Sequence, residues 1–124
     1  MQKNLDQLRA AHALKEADKI DKTSVAKLPG MILSNGLLGT LAFAGEQKGP
    51  REGLKAAADS LARHLAQPVL GLSELAGITS AQKLAEKLAG GDALTLQRAI
   101  TESLAYLSYL KRYAAKKSSA DQES

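Results

Sequence analysis

The sequence predicts an all-α fold: a compact bundle of about five to six helices in a single domain over residues 1–117, with a disordered tail over residues 118–124. Three observations carry that expectation. Leu and Ala dominate the 124 residues while Val, Ile, Phe and Tyr are few, a balance that favours helix over sheet. Apolar residues recur at spacings of three and four in successive stretches, the period of a helix face. Gly and Pro fall mainly between those stretches, where helices start and stop. A chain of this length can bury a core without staples, and with no cysteine it has neither a disulfide framework nor a thiolate site. The start lacks a basic-then-apolar leader, which points to the cytoplasm.

From Asn4 to Lys22 the chain reads as an exposed helix with Ala10, Ala13, Leu14, Ala17 and Ile20 on its inner side. Lys15, Lys19 and Lys22 line the opposite side, with Asp6, Glu16, Asp18 and Asp21 interspersed. That pattern also suits a plain solvated face with i,i+4 pairs. The most apolar run follows, KLPGMILSNGLLGTLAFA from Lys27 to Ala44, and the other helices are expected to pack around it. Pro29 should open this helix, because a proline N–H is not missed in a first turn, and the helix should run from about Met31 to Ala44. Ile32, Gly36, Gly39 and Phe43 then share one face, where the two glycines would admit a close neighbour. Asn35-Gly36 is also a hairpin signal, but the flanks do not alternate, so helix is preferred. A membrane span is not expected, since a bilayer takes about 20 apolar residues and this run is shorter and rich in Gly, Ser, Asn and Thr.

Gly45 should cap that helix and Gly49-Pro50 should open the next, whose buried face is Leu54, Ala58, Leu61 and Leu65. Pro68 ends it. Between Val69 and Gly77 the glycines leave room for a single helical turn around Ser73 to Ala76. Thr79 with Gln82 fits a capping box for a short helix that buries Leu84 and Leu88 and stops at Gly90-Gly91. Asp92 should cap the last and longest helix, with Leu96, Ile100, Leu104, Leu107 and Ala114 inward. Tyr106, Tyr109 and Tyr113 form a second stripe flanked by Arg98, Arg112 and Lys116. The basic end, Lys111, Arg112, Lys116 and Lys117, complements the helix dipole, and the tyrosines can pack with their hydroxyls at the surface. Lys111 falls on the side of Ile100 and Leu104 and would have to snorkel outward.

No catalytic constellation emerges. His12 and His64 are the only histidines, stand on separate helices without metal-ligand spacing, and read as ordinary surface or boundary residues. The carboxylates lie near lysines, with no pair set apart as acid and base. GLLGTLAFAG has neither the lysine nor the strand context of a phosphate-binding loop. Neither an enzyme nor a cofactor is expected. The excess of 17 Lys and Arg over 13 Asp and Glu, a net charge of +4, suggests a polyanionic partner.

Two segments then carry a resemblance. LPGMILSNGLLGTLAF, Leu28 to Phe43, and ESLAYLSYLKRYAA, Glu102 to Ala115, resemble the two recurring blocks of the small subunit of the Cmr complex, the type III-B CRISPR RNA-targeting effector. One aromatic commonly written as Trp in the second block is Tyr109 here. The resemblance implies a non-catalytic helical bundle whose copies stack head to tail into a filament beside the backbone subunits. It also implies guide RNA, target RNA, the large polymerase-like subunit and other Cmr subunits as partners, and no membrane. Sequence-independent contact with phosphates suits such a role. Set beside the family, the RNA-facing candidates are Lys22 and Lys27 around the central element and Lys111, Arg112 and Lys116 at the end of the last helix, with Lys15, Lys19 and Arg51 in second rank. The blocks cover Lys111 and Arg112, and Lys27 adjoins one; the others rest on charge and helical phase. Tyr109 and Tyr113 can either stack on a base beside Arg112 or pack in the core. The competing reading is a generic helical nucleic-acid-binding regulator, with a short helix-turn-helix around Gly71 to Leu88, or a protein-interaction module.

Overall fold

A computed structural model of the chain describes residues 4–47 and 52–114, and the structure is a single helical domain with no strand among them. The elements are α1 (Leu5–Ala17), α2 (Lys22–Gly45), α3 (Glu52–Leu65), two single turns of 3₁₀ helix at Pro68–Leu70 and Ser73–Leu75, α4 (Ala81–Ala89) and α5 (Ala93–Tyr113). Helix α2 packs against α3, α4 and α5, and α5 also carries α1 and α3. The long apolar run is thus central, as its composition implies, but shares that place with α5. The expected tail, Gly49-Pro50, Arg51 and Lys116 lie outside the described residues.

Helix starts follow side-chain capping. Asn4 and Gln7 form a reciprocal capping box on α1, with bonds of 2.8 and 2.9 Å. The helix ends at Ala17, earlier than the periodicity suggests, because the turn that follows tucks Ile20 into the core and Asp21 starts a new helix by accepting from the Ser24 amide. That cap also overrides Pro29, which lies inside α2 instead of opening it. The α4 cap is Ser80, which accepts from the Lys83 amide at 3.2 Å, and not Thr79. Asp59 of α3 adds a bond from the Ala81 amide at 2.7 Å. Asp92 caps α5 as expected, accepting from the Thr95 amide at 2.8 Å. Between Gly71 and Leu88 there is one 3₁₀ turn and one α-helix, so no helix-turn-helix forms there.

The core combines Val25, Leu28, Ile32, Leu37 and Leu41 of α2 with Leu54, Leu61 and Leu65 of α3, Leu84 and Leu88 of α4, and Tyr106, Leu107 and Leu110 of α5. Each fully buried leucine contributes about 2 kcal/mol of hydrophobic stabilisation. The expected glycine face of α2 is not a helix contact. Gly36 and Gly39 are exposed, and a methyl group added at Gly36 would meet no atom within 4 Å. The close approaches lie elsewhere: a Cβ at Gly53 would collide with Ser24 Oγ, and one at Gly45 would meet Gln82 Cγ at 3.0 Å. Gly45 is accordingly buried in the last turn of α2, with Glu46 as the cap.

Gly36 breaks α2. Its backbone at φ 81° and ψ 160° belongs to a region that residues with a Cβ avoid, and Thr40 Oγ1 donates to its carbonyl at 2.8 Å. The break turns the buried face from Leu28 and Ile32 onto Leu37, Thr40, Leu41 and Ala44. At 24 residues α2 is long and apolar enough to cross a membrane by length and composition, longer than the sequence implies. Packing on three helices buries only part of that content, 39% of the apolar window, and leaves Leu33 and Phe43 exposed. Gly36→Ala should therefore lower stability by about 1–3 kcal/mol purely through backbone strain, read as a shift in the urea midpoint; an unchanged midpoint would mean that the break is not required.

Candidate nucleic-acid interface

Among the described residues some cations are committed to carboxylates and others, Lys87 and Arg98 included, make no ion pair, and the difference begins in a buried network that sequence reasoning missed. Arg9 donates through Nε and Nη2 to the two oxygens of Glu102 at 2.9 and 2.8 Å, and through Nη1 to Asp6 at 3.1 Å. His64 Nε2 donates to Glu102 Oε2 at 2.7 Å, and His64 Nδ1 faces His12 Nδ1 at 3.0 Å. A single proton can bridge the two Nδ1 atoms, so with both rings neutral His12 donates and His64 accepts. The His64 ring stacks on Tyr106 with centroids 4.0 Å apart, and the Tyr106 hydroxyl pairs with Ser60 Oγ at 2.9 Å. Arg63 closes the network onto Glu16.

The network ties α1, α3 and α5 together, and its electrostatics follow from burial. Burial is the largest influence on His12 and, with His64 adjacent, lowers its pKa to about 4. Burial alone would raise Glu102, but the hydrogen bonds from Arg9 and His64 outweigh it and hold the carboxylate at about 2. Burial likewise opposes ionisation of Glu16, and Arg63 prevails to keep it below the ordinary carboxylate range. Burial pushes the Tyr106 phenol up. Among the described residues every buried side-chain nitrogen and oxygen has a partner, and none form a metal-binding group of three or more His, Cys, Asp or Glu. The arrangement is a satisfied structural junction. His12 and His64 are thus core residues, not surface or boundary ones. Helical phase was the available signal, since His12 sits beside Ala13 and four residues before Glu16 on the inner side of α1.

Cations of the second kind face outward. Lys15 on α1, Lys19 in the following turn, Lys27 on α2, and Lys111 and Arg112 at the end of α5 are exposed, while Lys22 at the start of α2 is half-buried. Among the described residues none of these six makes an ion pair, whereas Arg9, Arg63, Lys55 and Lys83 do. The line of Lys15, Lys19 and Lys22 expected on one helix is broken by the end of α1 and distributed over two helices and a turn.

Helix α5 also corrects the expected phase. Its buried face is Thr95, Ala99, Glu102, Ser103, Tyr106, Leu107 and Leu110, while Leu96, Ile100 and Leu104 are only half-buried. Ser103 is accommodated by donating to the Ala99 carbonyl at 2.6 Å. The inner face is rotated toward the tyrosine stripe, so Tyr106 is fully buried, Tyr109 half-buried and Tyr113 exposed. Lys111 consequently reaches solvent without snorkelling past the core. The start of α1 and the end of α5 leave a groove of about 490 Å³ lined by Asp6, Arg9, Ser108, Tyr109, Arg112 and Tyr113.

Fold and surface together define a small helical bundle with a polar junction inside and, among the described residues, a scatter of cations without ion pairs outside. Residues 3–116 match the family model described as CRISPR-associated protein (Cas_Cmr5). The chain belongs to this Cmr5 family, the small subunits of CRISPR Cmr complexes, which associate with the other Cmr subunits. Its fold is similar to the crystal structure of a CRISPR-associated Cmr5 family protein from Thermus thermophilus, with a TM-score of 0.71 and 24% identity over 90% of this chain and 95% of that one. No curated protein matches the chain.

Proposed function

We propose that the chain is the non-catalytic small subunit of a type III-B RNA-guided effector, acting in the cytoplasm, stacking in several copies and holding guide-paired target RNA through phosphates. The observation that carries this reading is the segregation of cations. The arginines committed to carboxylates bind the bundle together, while Lys15, Lys19, Lys22, Lys27, Lys111 and Arg112 are left without ion pairs among the described residues. Lysines and arginines of that kind neutralise phosphates without reading sequence, which leaves recognition to base pairing. Arg51 and Lys116 remain candidates on charge alone. Contacts between copies and with other subunits have apolar surface to use: Leu33, Leu94, Leu14 and Val69 are 74%, 65%, 57% and 56% exposed.

A single copy has few phosphate contacts and binds weakly; several copies on one strand act together. The test is to purify the particle from its native host through the tagged chain, with and without Lys111→Glu combined with Arg112→Glu. The other Cmr subunits and guide RNA should co-purify with the parent chain. The variant, whose two side chains are exposed and support nothing inside, should fold normally yet weaken target-RNA binding at least about tenfold. Recovery of the chain alone would overturn the assembly reading, and a variant particle with parental target affinity would remove these two residues from the interface.

A further inference from the structure

We infer that the groove between the start of α1 and the end of α5 seats one unpaired nucleobase of single-stranded RNA, an inference that rests on the RNA-binding reading above. Its size, about 490 Å³, falls within the roughly 300–1,000 Å³ of sites that hold small ligands. Its charge is arranged for an uncharged ring with a phosphate beside it. Arg9, half-buried among the lining residues, is committed to Asp6 and Glu102, so it offers no free charge to a ligand. Arg112, exposed at the end of α5, makes no ion pair among the described residues, and Lys111 adjoins it in the open. A phosphate therefore belongs beside Arg112 and a base against the tyrosines.

The walls suit a base as well. Tyr113 is 38% exposed and Tyr109 half-buried, so one ring is open to a partner and the other is anchored against the core. Aromatic rings and guanidinium planes are the surfaces on which unpaired bases stack, whatever their identity. Ser108 Oγ already donates to the Ala105 carbonyl at 2.8 Å, which leaves its lone pairs able to accept from the edge of a base.

The sequence supplies its own reporter. There is no tryptophan and there are three tyrosines; Tyr106 is fully buried, so the tyrosines a ligand can reach are the two in the groove. The full chain should be titrated at low salt with a mixed-sequence single-stranded RNA of about ten nucleotides and with the corresponding duplex. The single strand should quench tyrosine fluorescence and the duplex should not. Tyr113→Ala should weaken single-strand binding about tenfold, and Tyr113→Phe should restore it, because the ring and not the hydroxyl makes the stack. Binding that falls with Lys22→Glu and Lys27→Glu, yet neither quenches tyrosine nor responds to Tyr113→Ala, would overturn the base seat and leave the phosphate reading standing. Equal quenching by duplex, or a Phe variant as weak as Ala, would also overturn the seat. No binding of the single strand even at low salt would overturn the seat, while the target affinity of the purified particle decides the phosphate reading separately.

Discussion

Glu102→Ala should lower the unfolding free energy by about 3–5 kcal/mol, the range seen when one partner of a buried ion pair is removed. The Glu102 carboxylate is the acceptor for Arg9 Nε, Arg9 Nη2 and His64 Nε2 at once, so its loss leaves three buried or half-buried donors with no acceptor. Arg9 retains only Asp6, an exposed carboxylate, and α1 loses its main tie to α5. Glu102→Gln keeps the shape and one acceptor and should fall between the parent and the alanine variant. Urea denaturation of the three proteins at pH 7 decides the matter: a Glu102→Ala loss below about 1 kcal/mol would mean that water replaces the carboxylate without difficulty.

Acid should destabilise the bundle from an unusually high pH. His12 has a folded-state pKa of about 4 against 6.5 in an ordinary setting. Between those values the unfolded chain binds a proton that the folded chain does not, so stability rises with pH and is lost as pH falls through this window. The interval bounds the loss at about 3 kcal/mol. Glu102 adds a second window, because its carboxylate is held at about 2 against 4.5; its contribution is present above 4.5 and fades as pH drops toward 2. The groups facing His12 are His64, Glu16, Lys15 and Arg63. Of these only Glu16 favours the protonated ring, and at 4.0 Å it is too distant for a hydrogen bond. Urea midpoints between pH 7 and pH 4 should fall steeply for the parent and much less for His12→Phe, which removes the titrating group. Parallel curves would assign the acid sensitivity to other residues.

Most of the scaffold was legible because its signals are local. Leu54, Ala58, Leu61 and Leu65 announce the buried face of α3 by spacing, and Asp92 announces the start of α5 by chemistry. The phase of α5 misleads because large apolar residues outweigh small ones in a reading of the pattern. Ala99 and Ser103 are fully buried because they are small, while Ile100 and Leu104 lie at the flank. Pro29 misleads for a related reason: a proline is a start signal only when no stronger cap precedes it, and Asp21 does. Helical phase could place His12 inward, but the pairing within the junction was illegible, since His12 and His64 are 52 residues apart and Arg9 and Glu102 are 93 apart. For the interface, the residues bearing charge were plain from the sequence. Which of them commit that charge inside the bundle was not, because the answer depends on carboxylates brought in from other helices.

Helix α1 stands apart in what holds it down. Its buried side chains are His12, Ala13, Glu16 and Ala17, while Leu5 and Leu14 face solvent. Two alanine methyls bury little apolar area, so the attachment of α1 rests on hydrogen bonds and charge more than on oil-like contact. The other four helices share a leucine core that acid does not touch. Helix α1 is therefore the part of the fold expected to open first, with an opening energy that shrinks with each proton added to the junction.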